Sequence, residues 1–332
     1  MSIDILMLFV SLGMILLASV VFTNGIELLG HRGGLHQGIT GSILAAVGTA
    51  LPETLIPVIA ILFFHSATSH AVGIGAIAGA PFMLATLAFC ITGVAVMAYT
   101  LAGKRTWAIH TDTSGVLRDL RYFIILYGIA ILASFFHHYP LIRWVLAIGL
   151  VLGYVLYIRE TLASDGHEAE EVELLHLSKY FRLPENRATI AIQVIASLLL
   201  MMWGAHMFVG YVSEVSTRMG LSALILSIII TPIATELPEK CNSVIWIGKR
   251  KDILAVGNIT GAMVFQSSFP VAFGVAFTSW DLTGIPLISA LLALSSALMV
   301  YGWVKIKKTL HPGLLAACAV FYIAFIIYLV RR

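Results

Sequence analysis

The chain has 332 residues, of which 59% are hydrophobic and only 11% charged, and its mean hydropathy is +0.96. Soluble domains carry about 25% charged residues, so this composition excludes an ordinary soluble enzyme and specifies an all-α polytopic membrane protein. The formal net charge of +3 reflects where Lys and Arg flank the membrane, not affinity for nucleic acid.

About ten apolar stretches approach the ~20 residues that a spanning helix requires. In chain order they are 5–28, 38–64, 71–99, 119–137, 140–158, 189–212, 219–246, 253–279, 284–303 and 310–330. Asp4 precedes the first, no basic n-region does, and the run is too long for a signal-peptide core, so a retained helix is expected. The fourth and fifth are parted only by His137-His138-Tyr139-Pro140. The longest polar stretch, 161–188, runs through Glu168, Glu170, Glu171 and Glu173 to Lys179 and Arg182. It separates a first half, 1–160, from a second, 189–332. An amphipathic turn is expected over 172–181, and the acidic run reads as a solvated face rather than an ion site.

Basic residues set the orientation. Loops after odd-numbered spans hold Arg32, Lys104, Arg105, Arg118, Arg121, Arg159, Lys179, Arg182, Arg187, Lys249, Arg250, Lys251, Lys305, Lys307 and Lys308. Even loops hold only Arg143 and Arg218. Odd loops are therefore expected on the cytoplasmic side of the plasma (inner) membrane, with both termini outside. Arg331 and Arg332 run against this pattern.

Two apolar stretches carry nearly the same words, Gly48-Thr49-Ala50-Leu51-Pro52-Glu53 and Ala234-Thr235-Glu236-Leu237-Pro238-Glu239. A carboxylate at bilayer depth is costly and reads by default as an ion or proton site. The repetition extends further. Gly34, Leu35, Thr49, Leu51, Pro52 and Glu53 match Gly220, Leu221, Thr235, Leu237, Pro238 and Glu239, and Gly75-Ala-Ile-Ala-Gly79-Ala80 matches Gly257-Asn-Ile-Thr-Gly261-Ala262. With five spans per half, the second copy enters the membrane from the opposite side, so the expected fold is two inverted five-helix repeats.

The residue types suit a cation. Proline in a helix lacks an N–H and frees the carbonyl four residues back: Gly48 for Pro52, Glu53 for Pro57, Ile228 for Pro232 and Ala234 for Pro238. Thr49 and Glu53 share a helical face at i and i+4, as do Thr235 and Glu239. Carbonyls, hydroxyls and carboxylates form an all-oxygen ligand set, which hard cations such as Ca²⁺ prefer. Glu53 and Glu239 together supply two negative charges for one divalent ion. Glu236 and Lys240, also at i and i+4, read either as a self-neutralising pair or as a coupling element. In the second reading Lys240 stands in for a monovalent cation or Glu236 carries a proton. Asn258, Thr260, Gln266, Ser267 and Ser268 are polar enough for ligands or for interhelical bonds, and Gly73, Gly75, Gly79, Gly257 and Gly261 read as close-packing positions.

Cys90, Cys241 and Cys318 lack ligand spacing and read as inert thiols. His31, His36, His65, His70, His137 and His138 fall at helix ends, which leaves His206 as the histidine within a span. A packed histidine is the favoured reading there.

On its paired motifs, Gly48–Glu53 with Gly75–Ala80 and Ala234–Glu239 with Gly257–Ala262, the chain resembles the cation/calcium antiporter superfamily, and within it the sodium/calcium exchangers. The resemblance implies secondary antiport by alternating access. A divalent ion would be held by Glu53, Glu239, Thr49 and Thr235, and the first and sixth spans would move against spans two, three, seven and eight. This sequence departs from the family pattern at Ala50, Glu236, Ala80, Ala262 and Leu84, where hydroxyl or polar residues of the sodium sites are expected.

The sequence thus points to exchange of Ca²⁺, or a related divalent ion, for Na⁺ or H⁺, with a proton-coupled or Mg²⁺-type exchanger as the alternative. A cation channel is the reading from a different class, though no ring-forming filter motif is present. An intramembrane hydrolase would need a nucleophile or ligand histidines beside the acids, and neither motif offers them, so no enzyme is expected. No cofactor, nucleic acid or obligatory protein partner is implied; the expected partners are inorganic cations and the lipid bilayer.

Overall fold

Long apolar runs satisfy every backbone N–H and C=O in lipid only as helices or closed barrels. In the computed structural model, which describes residues 2–32, 50–64, 66–163 and 174–331, the regular structure is helical apart from one isolated antiparallel bridge, Ile109 to Leu310. The helices are α1 (Ser2–Arg32), α2 (Leu51–Leu62), and α3 (Ala67–Met83), which passes through a π-helical turn at Leu84–Ala88 into α4 (Phe89–Leu101). They continue with α5 (Thr113–Ser134), α6 (Pro140–Ala163), the short α7 (His176–Phe181), α8 (Arg187–Met219) and α9 (Ala223–Gly248). The remainder are α10 (Asp252–Gln266), α11 (Phe269–Phe277), α12 (Ile285–Lys307), α13 (Pro312–Ala317) and α14 (Ala319–Val330).

Among the described residues seven helical stretches are long and apolar enough to cross a membrane: Ile3–Ile26, Ala67–Leu101, Pro140–Ala163, Arg187–Met219, Asp252–Phe277, Ile285–Lys307 and Pro312–Val330. Each coincides with an expected span. The other three expected spans are helical where described, but α2 and the apolar part of α9, Ala223–Ile233, are shorter. Helix α5 carries Arg118, Asp119 and Arg121. Residues 33–49, including Thr49, His36 and the first part of the expected span 38–64, lie outside the described residues, as do His65 and the acidic run to Glu173.

Local sequence explains the helix ends. Asp112 caps α5 by accepting from Ser114 N and Gly115 N, both at 3.0 Å, and Asn186 caps α8 by accepting from Thr189 N at 2.9 Å. Gly220 closes α8 at φ +65°, the left-handed conformation glycine adopts without strain. The π turn follows Pro81, which has no N–H to donate. Its Ala85 carbonyl accepts from the buried Ser296 hydroxyl of α12 at 2.5 Å, so the irregular backbone stays satisfied.

The chain divides into two units, each drawing on both halves of the sequence. The first comprises Met1–Gly73 and Ile158–Ala223. Here α1 and α8 run antiparallel along their lengths. A Cβ on Gly204 would meet Ile15 Cγ1 at 2.9 Å, and one on Gly25 would meet Val194 Cγ2 at 2.8 Å, so glycine lets the two backbones approach. At one end Asp4 and Arg218 form an ion pair at 2.7 Å. At the other, Gln193 Nε2 donates to Asn24 Oδ1 at 3.0 Å, and Asn24 Oδ1 also accepts from His176 N at 2.9 Å. Gln193 Oε1 accepts from Leu177 N at 2.9 Å. These amides tie α7 to α1 and α8 over a small core of Leu28, Leu175 and Ile190.

The second unit comprises Ile74–Tyr157 and Leu224–Arg332. Its centre holds the spans Ala67–Leu101 and Asp252–Phe277, whereas α6 and the span Pro140–Ala163 it forms bury little and present apolar side chains outward. In lipid that outward face needs no protein cover.

Candidate cation site

Glu53 lies in the first turn of α2, buried at 4% exposure, with Thr54 Oγ1 donating to the Ala50 carbonyl at 2.9 Å beside it. Pro52 sits at the start of that helix, where a missing N–H leaves no bond unmade, and Pro57 lies inside it. Thr49 is not among the described residues. Glu239, Pro238, Ala234 and Cys241 are helical positions of α9 whose side chains also fall outside the description.

The described part of α9 carries six buried polar side chains: Ser227, Thr231, Thr235, Glu236, Lys240 and Ser243. Spacings of four place Ser227, Thr231 and Thr235 on one face, and spacings of four and three place Glu236, Lys240 and Ser243 on another. Thr235 Oγ1 donates to the Thr231 carbonyl at 3.0 Å, and the Ser227 and Thr231 hydroxyls stand 3.2 Å apart. Donating into their own helix leaves hydroxyl lone pairs as the groups turned outward. Lys240 Nζ lies 3.2 Å from Glu236 Oε2, with side-chain exposures of 4% and 2%. Apart from that contact, neither atom has a hydrogen-bond partner among the described residues.

Of the other polar candidates, Asn258 Nδ2 reaches Ser243 Oγ at 3.5 Å, which links α10 to α9. Thr260 Oγ1 donates to Asp119 Oδ2 of α5 at 2.6 Å. Ser267 and Ser268 donate to carbonyls of their own helix, and Gln266 is buried at 1% exposure. His206, in the first unit, stacks on Phe64 at 4.6 Å between ring centroids. Among the described residues no three His, Cys, Asp or Glu side chains converge.

The glycine motifs differ where the sequence predicts likeness. A Cβ on Gly75 would meet the Leu224 carbonyl and Ser227 Cβ at 2.8 Å, and one on Gly79 would strike the Ile228 carbonyl and Pro232. The first motif thus seats α3 directly on α9. A Cβ on Gly257 would meet nothing described within 4 Å, and one on Gly261 only Tyr157 Oη at 3.7 Å. The close-packing reading holds for Gly75 and Gly79 but is corrected for Gly257 and Gly261. The contact of α10 is instead polar and goes through Thr260, whose counterpart in the first motif is Ala78. The Ala78 carbonyl accepts from Tyr127 Oη at 3.4 Å, so α5 bonds both motif helices, with Asp119 and Tyr127 two turns apart on one face.

The sequence reading also missed Arg105–Asp252. Arg105 Nη1 and Nη2 reach the two Asp252 oxygens at 2.8 and 2.7 Å, with exposures of 3% and 1%. The same guanidinium donates to the Ile247 and Ala108 carbonyls at 2.9 Å, and His110 N donates to Asp252 Oδ2 at 2.9 Å. A carboxylate one residue before an apolar span was the available signal, since such an acid needs a partner once buried.

A sequence profile described as sodium/calcium exchanger protein matches residues 3–159 and 189–331. No curated protein matches. Among solved structures, a H⁺/Ca²⁺ exchanger, CAX, is 16% identical with a TM-score of 0.74 over 98% of this chain and 82% of that one. Native YfkE is 15% identical with a TM-score of 0.69, covering 98% of this chain and 90% of that one. The sodium-calcium exchanger NCX_Mj, soaked with Na⁺ and Sr²⁺, is 16% identical with a TM-score of 0.59, covering 98% of each. At these identities the likeness is one of fold.

Proposed function

Because the chain belongs to the sodium/calcium exchanger protein family, we propose that it is an integral multi-pass membrane protein that exchanges Ca²⁺, or a related divalent cation, for Na⁺ or H⁺ by alternating access. The observation that carries this reading is the recurring Thr-x-Leu-Pro-Glu word, with Glu53 buried at 4% exposure in an apolar helix. Glu53 and Glu239 are the shared cation ligands, and Thr49 and Thr235 contribute hydroxyl oxygens. Glu236 and Lys240 set the charge of the second motif, and Asn258 and Gln266 line it. The carboxylates hold either the divalent ion or the counter-ions, and that competition couples the fluxes. Ten spans in two inverted five-helix repeats, 1–160 and 189–332, complete the reading, with a linker over 161–188 and both termini outside the plasma (inner) membrane.

A proton-coupled or Mg²⁺-type exchanger is favoured, within the same class, by Ala50, Ala80, Ala262 and Leu84, which remove side-chain oxygens from a monovalent-ion site. Flux of labelled Ca²⁺ and Mg²⁺ into proteoliposomes, with Na⁺ and pH gradients imposed separately, tests these readings together. Saturable counter-flow is expected, and Glu53→Gln or Glu239→Gln should abolish it while the protein still inserts. Conductance without exchange would instead make the protein a channel.

A further inference from the structure

We propose that the Lys240 ammonium is a tethered, non-transported monovalent cation that occupies a site a mobile ion would otherwise fill. The inference rests on the cation-exchange reading for its consequence in transport, but its binding test does not.

Three observations carry it. First, the pair is isolated. Lys240 Nζ and Glu236 Oε2 contact one another at 3.2 Å, both side chains are under 5% exposed, and neither atom has a hydrogen-bond partner among the described residues. A buried pair kept for architecture alone gains from further hydrogen bonds to its lone pairs and protons, and among the described residues none reaches this Nζ or Oε2. Second, the position confines the charge. Side chains on a helix lean toward its N-terminus, so Lys240 reaches back one turn and holds its ammonium at the buried Glu236 carboxylate. Stripped of the lysine, a carboxylate buried to that degree needs another cation to offset its charge. Third, the charges match. Glu236 and Glu239 with Lys240 leave one net negative charge on this segment of α9. Without Lys240 the same segment would carry two, and the added charge calls for one monovalent cation.

The tether therefore sets specificity. It removes one counter-ion from the cycle and excludes Na⁺ from the Glu236 position, since a covalently held cation at that site has an effective concentration no mobile ion matches.

Purified Lys240→Met, the double variant Glu236→Gln/Lys240→Met and the wild type are compared for Na⁺ binding with radiolabelled Na⁺. Thermal unfolding is followed in NaCl against choline chloride at equal ionic strength. Lys240→Met should bind about one more Na⁺ per chain than the wild type, and its unfolding midpoint should rise with Na⁺ through mass action. The wild type and the double variant should do neither. In proteoliposomes Lys240→Met should move about one more monovalent ion per divalent ion. Recovery of Lys240→Met only in Na⁺- or Li⁺-containing buffer supports the proposal equally. No gain of Na⁺ binding, or no recovery in any buffer when the double variant is recovered, overturns it. If the wild type moves no cation while Lys240→Met gains Na⁺ binding, the exchange reading falls and the tethered cation stands.

Discussion

The second unit buries two ion pairs that are built in opposite ways. Arg105–Asp252 is bidentate at 2.7 and 2.8 Å, and four further hydrogen bonds from the guanidinium and to the carboxylate close it off. Glu236–Lys240 is a single 3.2 Å contact, and its Nζ and Oε2 have no hydrogen-bond partner among the described residues. Taking charges out of water costs several kcal/mol per ion, and only good geometry with added hydrogen bonds offsets it. The first pair meets that condition and acts as a staple between α10 and the segment joining α4 to α5. The second does not: its carboxylate relies on the tethered ammonium, and only removal of the lysine leaves that place to a mobile cation.

The largest effect that would sharpen this contrast is Asp252→Ala. It leaves the Arg105 guanidinium buried without its acid and should cost about 3–5 kcal/mol, read as a steep fall in the unfolding midpoint or in accumulation. Lys240→Met in NaCl should fall far less; an equal loss would erase the distinction. Next comes Arg105→Lys, which keeps the charge but loses the fork. About 1.5–3 kcal/mol is expected for one charged hydrogen bond forfeited, whereas Lys240→Arg should lose less in the same melt. Thr260→Val removes the hydroxyl from the Asp119 carboxylate, and about 1–3 kcal/mol should go with it, with Thr260→Ser restoring most of it. The smallest change is expected for Gly257→Ala, within about 1 kcal/mol of the wild type, because no described atom lies within 4 Å of the new Cβ. The same change at Gly79 drives a methyl into the Ile228 carbonyl and should be clearly worse.

Much of the fold was legible from hydropathy alone. Spans such as 140–158, 189–212 and 284–303 are helices because an apolar segment of that length has one way to satisfy its backbone in lipid. Glu236 with Lys240 was legible for a different reason: one helical turn brings i and i+4 together whatever the rest of the chain does. Asp119 with Thr260 was not, since 141 residues separate them and neither belongs to a repeated word that includes the other. Nor was Arg105 with Asp252, 147 residues apart. The equal role assigned to the two glycine motifs failed because sequence likeness does not specify the neighbour. α3 lies on the α9 backbone, while α10 meets α5 through a hydroxyl.

The sequence by itself determined what is local: which segments are helical and apolar, where carboxylates stand within them, and that Lys240 sits one turn from Glu236. Only the tertiary structure decided which of the buried charges are fully satisfied. That depends on carbonyls and amides brought from distant segments, such as Ala108 and His110 around Arg105 and Asp252. Hydrogen bonds are short and directional, so the partners of a buried charge are set by packing. For the same reason it is packing that leaves Lys240 Nζ with Glu236 as its contact among the described residues.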